Sequence, residues 1–372
     1  MPCHYLITGG AGFLGSYVAD ALLAAGHRVR ALDNLSPQVH GDGAQRPAYL
    51  DAEVELMRGD VRDPARVREA LRGVDAVVHF AAAVGVGQSM YQIAEYTSVN
   101  NLGTAVLAEA VAENPVQRLV VASSMSLYGE GLYRAPDGTA RVVGERTHEQ
   151  LRRAQWDWTD SEGNSLVPVP TPEDKPPALA SVYALSKFDQ EKLCLMIGRA
   201  YKVPTIALRF FNAYGPRQAL SNPYTGVLAI FASRLLNDRA PLIFEDGNQM
   251  RDFVSARDIA RACVLALEAT NVDGEVFNVG SGEARTVREI ASRMARTLGM
   301  EHLQPEITNK YRVGDIRHCF ADLTRIREAL GYQPRVTLDE GLKELAQWLA
   351  GQPAEDRVAQ ASAELSARGL TV

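Results

Sequence analysis

The chain has 372 residues, with 45 acidic against 39 basic side chains and a formal net charge of −6, a balance that argues against nucleic-acid binding, which calls for a positive excess to neutralise phosphates. Hydrophobic residues make up 46% and charged residues 23%, an ordinary globular composition well away from the disordered regime. No stretch approaches the roughly 18 uninterrupted apolar residues of a membrane span, and the N-terminus lacks a basic, signal-like preamble, so a soluble cytoplasmic protein with neither nucleic-acid nor membrane partners is expected.

In chain order, the apolar run YLIT at 5–8 is followed by GGAGFLGS and then by Leu14, Val18, Ala21, Leu22 and Ala25 at helical spacing. This predicts a strand, a glycine turn and a helix. Gly26 stops the helix, and HRVRALD supplies a second strand ending at Asp33. VELMRGD, a helical stretch before Gly73, DAVVHFAAA, a helix around Asn101 to Glu113 and RLVVASS continue the alternation. Repeated strand and helix predict a parallel sheet covered on both faces. After Tyr128 the texture changes for about fifty residues; Pro, Gly and charge dominate, and Trp156 and Trp158 favour local packing over free disorder. Helix and strand patterns return at Ser181 to Ala200 and at TIALRFFN, a mixed region runs to about Trp348, and a polar tail begins at Gly351. The four cysteines are scattered without a C-x-x-C pair and the seven histidines are dispersed, so reduced thiols and no metal site are expected.

Gly9, Gly10, Gly12 and Gly15 sit between the first strand and its helix. Without Cβ atoms the turn can be tight and the backbone can approach a pyrophosphate, which the free N–H groups of the helix N-terminus would receive. Asp33 ends the second strand, where its carboxylate can accept from a ribose 2′,3′-diol and would repel a 2′-phosphate. Asn34, Leu35 and Ser36 offer no arginine for such a phosphate, so NAD is favoured over NADP. Tyr183 and Lys187 lie four apart in SVYALSKFDQEKL, which places both on one helix face. An adjacent ammonium and an oxidised nicotinamide would lower the phenol's pKa and make Tyr183 a general base. Ser123, Ser124 and Ser126 follow a predicted strand, at the sheet edge where open α/β folds place ligands.

TGGAGFLGS, Asp33, GDV at 59–61, HFAAA at 79–83, SSMSLYG, Y-x-x-x-K and RFFNAYGPRQ together resemble the extended short-chain dehydrogenase/reductases, in particular the NAD-dependent nucleotide-sugar epimerases and dehydratases, over roughly residues 4–345. The resemblance implies a Rossmann-type, doubly wound α/β sheet over 1–215, broken by an insertion at about 130–178. It further implies a smaller mixed α/β nucleotide-sugar region over 216–350, with part of 252–282 returning to the first domain and 351–372 as a peripheral tail. A homodimer built through a helix pair, with NAD kept through turnover, is implied as well. Carried over by position, Gly9, Gly12, Phe13, Leu14, Gly15, Asp33 and Asn34 would meet the cofactor, Asp60 and Val61 its adenine, and Ala81, Ala82, Ala83 and Asn100 its middle. Tyr183 would be the base and Lys187 its partner and a nicotinamide-ribose ligand. Ser124 would bond the sugar O4 with Ser126 beside it, and Asn212, Arg251 and Arg312 would hold the diphosphate.

In the family's 4,6-dehydratases an Asp and a Glu follow the catalytic hydroxyl; here Met125 and Ser126 stand there, and neither can act as acid or base near neutral pH. Ser126 also stands where the family's decarboxylases usually carry Glu. The expectation is therefore 4-epimerisation through a 4-keto sugar. The insertion, NPYTGVLAIF and GDIRHCFAD resemble bacterial dTDP-L-rhamnose 4-epimerases most, while UDP-glucose and UDP-glucuronate stay open as substrates, as do a 4-ketosugar reductase and a non-catalytic NAD-sensing scaffold.

Overall fold

A computed structural model describes residues 2–219, 226–312, 314–352, 363–364 and 366–371. Its main sheet is built from β1 (His4–Thr8), β2 (Arg28–Asp33), β3 (Glu55–Arg58), β4 (Ala76–His79), β5 (Arg118–Ser124), β6 (Thr205–Phe210) and β7 (Val276–Val279), all parallel, in the order β7-β6-β5-β4-β1-β2-β3. Strands covered on both faces need continuous apolar runs rather than alternation, and every residue of β1, β4 and β6 is buried. The helices α1 (Phe13–Ala24), α2 (Gly103–Glu113), α3 (Val182–Tyr201) and α4 (Ala256–Glu268) supply the covering layers. Val18, Leu22, Ile259 and Ala266 belong to one core cluster, and Val106, Leu107 and Cys194 to another on the opposite face. Strand order reverses between β1 and β4, which opens a crevice beyond their C-terminal ends.

Between β6 and β7 the chain leaves this sheet. Asn212–Tyr214 pairs in parallel with Met250–Ser255, which also pairs with Ala284–Thr286 and His318–Cys319. The helices Val227–Leu236, Val287–Thr297 and Leu338–Leu349 bury Phe231, Leu235, Ile290, Met294, Leu342 and Leu345 against one another. The chain returns through α4, which packs against α1, and through β7, which closes the edge beside β6. Asn222 to Thr225 of the NPYTG motif lie outside the described residues.

The insertion is folded. Leu132–Arg134 is the middle strand of an antiparallel sheet with Ala140–Val142 and Val167–Val169, and Tyr133, Ala135 and Leu166 form its small core with Trp158 alongside. Thr147 and Gln150 close a capping box on the helix His148–Arg152, and Trp156 packs with Leu151 and Tyr311. Strands of three residues are too short to display a hydrophobic period, which is why the sequence reads as irregular here. Among the tail residues described, Glu364 accepts a 3.0 Å bond from the Tyr91 hydroxyl, Arg368 lies over the Tyr91 ring, and Thr371 bridges to Arg312. Among the described residues no helix is long and apolar enough to cross a membrane.

Candidate active site

The glycine turn after β1 is dictated by sterics. Gly9 has φ +70°, which disfavours any side chain, and a Cβ at Gly15 would lie 2.3 Å from the Gly9 carbonyl oxygen and 2.7 Å from Gly10 Cα. Gly12 differs: its φ is −75°, and a Cβ there would meet only the Gly9 oxygen, at 3.3 Å. Ser16 N–H closes the first turn of α1 on Gly12 O at 3.0 Å, and no side chain caps the helix. The amides of Phe13, Leu14 and Gly15 therefore precede the first intrahelical bond, on a backbone surface bare of side chains, which is the cradle a pyrophosphate requires.

Asp33, 8% exposed, ends β2 at the same edge. Its carboxylate accepts from Ala11 N–H (3.1 Å) and Leu35 N–H (2.9 Å), and His40 stands 3.8 Å away. His40 escaped the sequence reading; burial lowers its pKa, with the Asp33 charge opposing. Asn34 donates to Asp60 at 3.3 Å, but the main partner of Asp60 is Arg62, which grips both its oxygens (2.9 and 2.7 Å) and holds its carboxyl below the usual range. Val61 is buried under Gly103, where a Cβ would lie 2.7 Å from the valine methyl.

Where the strand order reverses, the Thr8 hydroxyl is within 2.7 Å of His79 Nδ1 and accepts from Ala81 N–H at 3.2 Å. Burial lowers the His79 pKa to about 3, so the ring is neutral and serves as a bridge between strand ends, its Nε2 lying 2.9 Å from the Thr104 hydroxyl. Asn100 clips the Ala81–Ala83 segment in place: it accepts from Ala83 N–H (2.7 Å) and donates to Ala83 O (3.1 Å) and to the Ser186 hydroxyl (2.8 Å). Its amide is thus committed to joining this segment, with Ala82 at its centre, to α3.

Ser181 caps α3 by accepting from Ala184 N–H at 3.0 Å, a contact worth about 1 kcal/mol. The helix is locked to the sheet by Glu191, which accepts from Ser123 (2.7 Å) and in bidentate fashion from Arg209 of β6 (2.9 and 2.8 Å). Arg209 also donates to the Tyr128 hydroxyl at 2.8 Å. This fixes Tyr183 against the end of β5. Ser124 lies beside the Tyr183 phenol, near enough to act on its ionisation, and the Ser126 hydroxyl donates to Ser124 at 2.9 Å, so the structure gathers Ser124, Ser126 and Tyr183 at one place. Met125 is in the core instead. Burial raises the Tyr183 pKa, with the Ser124 hydroxyl opposing it. Of the two charges expected to lower it, the ammonium is turned elsewhere: Lys187, 3% exposed, donates to Gln190 Oε1 at 2.8 Å, and its own pKa is pushed down to about 8 by burial.

On the other side of the crevice, Asn212 has a buried Oδ1 without a hydrogen-bond partner. The Arg312 guanidinium stacks 4.2 Å over the Phe244 ring with a buried, unpartnered Nε. Arg251 is turned to carbonyls, donating to Met250 O (2.9 Å), Arg317 O (3.0 Å) and Ile316 O, with Asp315 at 3.6 Å.

A family model described as "NAD dependent epimerase/dehydratase family" matches residues 5–151 and 161–280. The chain belongs to that family. Its cofactor is NAD, and the bare backbone at Gly9–Gly15 and the carboxylate of Asp33 fit that group. A dTDP-L-rhamnose 4-epimerase from Burkholderia thailandensis is 36% identical over 350 residues, 93% of this chain and 94% of that one. A UDP-glucose 4-epimerase from Thermotoga maritima, solved with UDP-glucose, is 29% identical with a TM-score of 0.75 and covers 93% and 98% of the two chains. A UDP-glucuronic acid 4-epimerase from Bacillus cereus, solved with UDP-glucuronic acid and NAD, is 26% identical with a TM-score of 0.74, at 93% and 99% coverage.

Proposed function

We propose that this NAD-dependent nucleotide-sugar 4-epimerase inverts C4 of a dTDP- or UDP-linked hexose, with dTDP-L-rhamnose and its C4 epimer, dTDP-6-deoxy-L-talose, as the leading pair and UDP-glucose and UDP-glucuronate as the competing substrates. The observation that carries the reading is the placement of the hydrogen-bonded pair Ser126 and Ser124 beside Tyr183 at the end of β5, with no acid or base at position 125 or 126 to drive elimination. NAD, when bound, supplies reversible hydride exchange at C4. Tyr183 takes the O4 proton as the 4-ketose forms and gives it back once the ring presents its other face, so proton and hydride both return and no reductant is consumed. Ser124 holds O4, and Ser126 orients Ser124. Lys187 is charged below about pH 8 and favours the phenolate. Arg312 and Asn212 hold the diphosphate, about which the ketose swings, and Arg251 braces the segment beside them.

Purified protein offered dTDP-L-rhamnose, UDP-glucose and UDP-glucuronate in D2O without added cofactor tests this by NMR. The expected product is inverted at C4 and carries no ring deuterium. Deuterium at C5, loss of carbon dioxide or a strict need for added NADH would overturn the reading, the last in favour of a 4-ketosugar reductase.

The working unit in this proposal is a homodimer. Leu102 and Glu109, the first just before α2 and the second within it, and Leu185, Lys192 and Met196 on α3 are exposed at spacings that place them on one side of each helix, the pattern of an unpaired helix–helix seam. Leu185→Glu is expected to convert a dimer to a monomer in light scattering; a wild-type monomer would refute the assignment. Cys194, Cys263 and Cys319 are buried free thiols, which supports a reducing, cytoplasmic setting, checked by cell fractionation.

A further inference from the structure

Arg146 belongs to the insertion, whose neighbouring residues are largely exposed, yet its own side chain is only 2% exposed. The guanidinium reaches two segments outside the insertion and the start of the insertion itself. It donates to Glu245 Oε1 at 2.7 Å and to the Asp315 backbone oxygen at 3.0 Å, and it lies 3.7 Å from Glu130 Oε1. Each of those residues adjoins a group on the substrate side. Glu245 follows Phe244, the ring on which Arg312 stacks. Asp315 pairs with Arg251. Glu130 lies just beyond the turn that holds Ser124 and Ser126, and it accepts from the amides of Arg317 (2.7 Å) and His318 (3.2 Å).

The far side of the same segment is also constrained. Gly314 has φ +76°, and a Cβ there would lie 3.3 Å from the oxygen of Ala180, three residues before Tyr183. A small cavity among Gly129, Arg146, Ala178, Ala180, Gly314 and Ile316 marks the junction. Residues 314–316 are thus held between the insertion and the start of the helix that carries the base.

We propose that Arg146 is a positioning residue for nucleotide-sugar binding: through Glu245, Asp315 and Glu130 it sets the placement of Arg312 against the substrate diphosphate and of the segment that Arg251 braces beside it. The inference rests on the functional reading above, in which Arg312 holds the diphosphate with Asn212 and Arg251 braces the segment beside them. A planar fork suits the task because it can serve several acceptors in fixed directions at once, which an ammonium on a flexible stem does less well. Glu245 keeps a second partner, Arg317 at 3.2 Å, so loss of Arg146 does not strand that buried carboxylate.

Arg146→Met and Arg146→Lys, with Arg141→Ala at an exposed site of the same insertion as control, test this by steady-state kinetics, by calorimetric titration with dTDP and with UDP, and by assay of bound NAD. Arg146→Met is expected to raise KM for the nucleotide sugar and Kd for the nucleoside diphosphate at least about tenfold, with kcat within about threefold and NAD content unchanged. Arg146→Lys should recover part of the affinity, and Arg141→Ala should match the wild type. Unchanged KM and Kd in both Arg146 variants, or a fall in kcat at constant KM, would overturn the inference. If Arg146→Met does not fold, the lysine variant carries the test alone. Wild-type protein that binds neither diphosphate would instead sink the functional reading, and this inference with it.

Discussion

Replacing Tyr183 by Phe is expected to cut turnover at least a hundredfold and leave NAD bound. A positioned general base contributes about 10²–10⁴ in rate, and here the phenol is the group that stands beside the hydrogen-bonded Ser124–Ser126 pair. The variant keeps the ring, and with it the edge-to-face contact with Tyr96 at 6.4 Å, so packing changes little. The protein's own environment raises the Tyr183 pKa, so ionisation near neutral pH depends on positive charge brought close to the oxygen. Lys187 provides such charge only while protonated. Its pKa of about 8 makes it a cation below that pH and neutral above it, so kcat/KM should fall on the alkaline side of about 8. The checks are a pH–rate profile, turnover of Tyr183→Phe and the NAD content of the purified variant. Near wild-type turnover in Tyr183→Phe would remove Tyr183 from its assigned role.

The second large effect is expected at the glycine turn, where two neighbouring substitutions should behave differently. Gly15→Ala places a methyl 2.3 Å from a backbone oxygen, and no side-chain rotation relieves that contact; α1 must move away from the turn. We expect the variant to be less stable by about 1–3 kcal/mol and to lose bound NAD, because the amides of Phe13 and Leu14 move with the helix. Gly12→Ala adds a methyl at a φ open to any residue, 3.3 Å from the Gly9 oxygen alone. Its stability should stay within about 0.5 kcal/mol of the wild type, while NAD affinity falls at least about tenfold because the methyl occupies the approach to the cradle. Denaturant melts paired with NAD titrations separate the two. Equal NAD affinity in Gly15→Ala and wild type would refute the cradle.

What could be read in the sequence was local or periodic. Glycine spacing between a strand and a helix, an acid at a strand end and a Tyr–Lys pair at one helical turn are short-range patterns, and the apolar runs of β1, β4, β5 and β6 stand out because both faces are covered. What could not be read depends on long-range proximity. Thr8 meets His79 only because β1 and β4 are neighbours, and Gln190, which takes the Lys187 hydrogen bond, is held by Thr104 from 86 positions away. Arg146 and Glu245 are 99 positions apart. The short strands of the insertion carry no period, so their sheet emerges only from its pairing and from the small core around Tyr133.

The way β6 and β7 are joined has a consequence for synthesis on the ribosome. The two strands are neighbours in the finished sheet, but the polypeptide between them must first emerge, at roughly 5–20 residues per second, before Val276–Val279 can dock. For those seconds β6, whose six residues are all interior in the mature molecule, is a bare edge able to recruit other nascent chains. The interval in which this enzyme is most exposed to aggregation, and most dependent on chaperones, therefore lies between translation of Phe210 and of Val279.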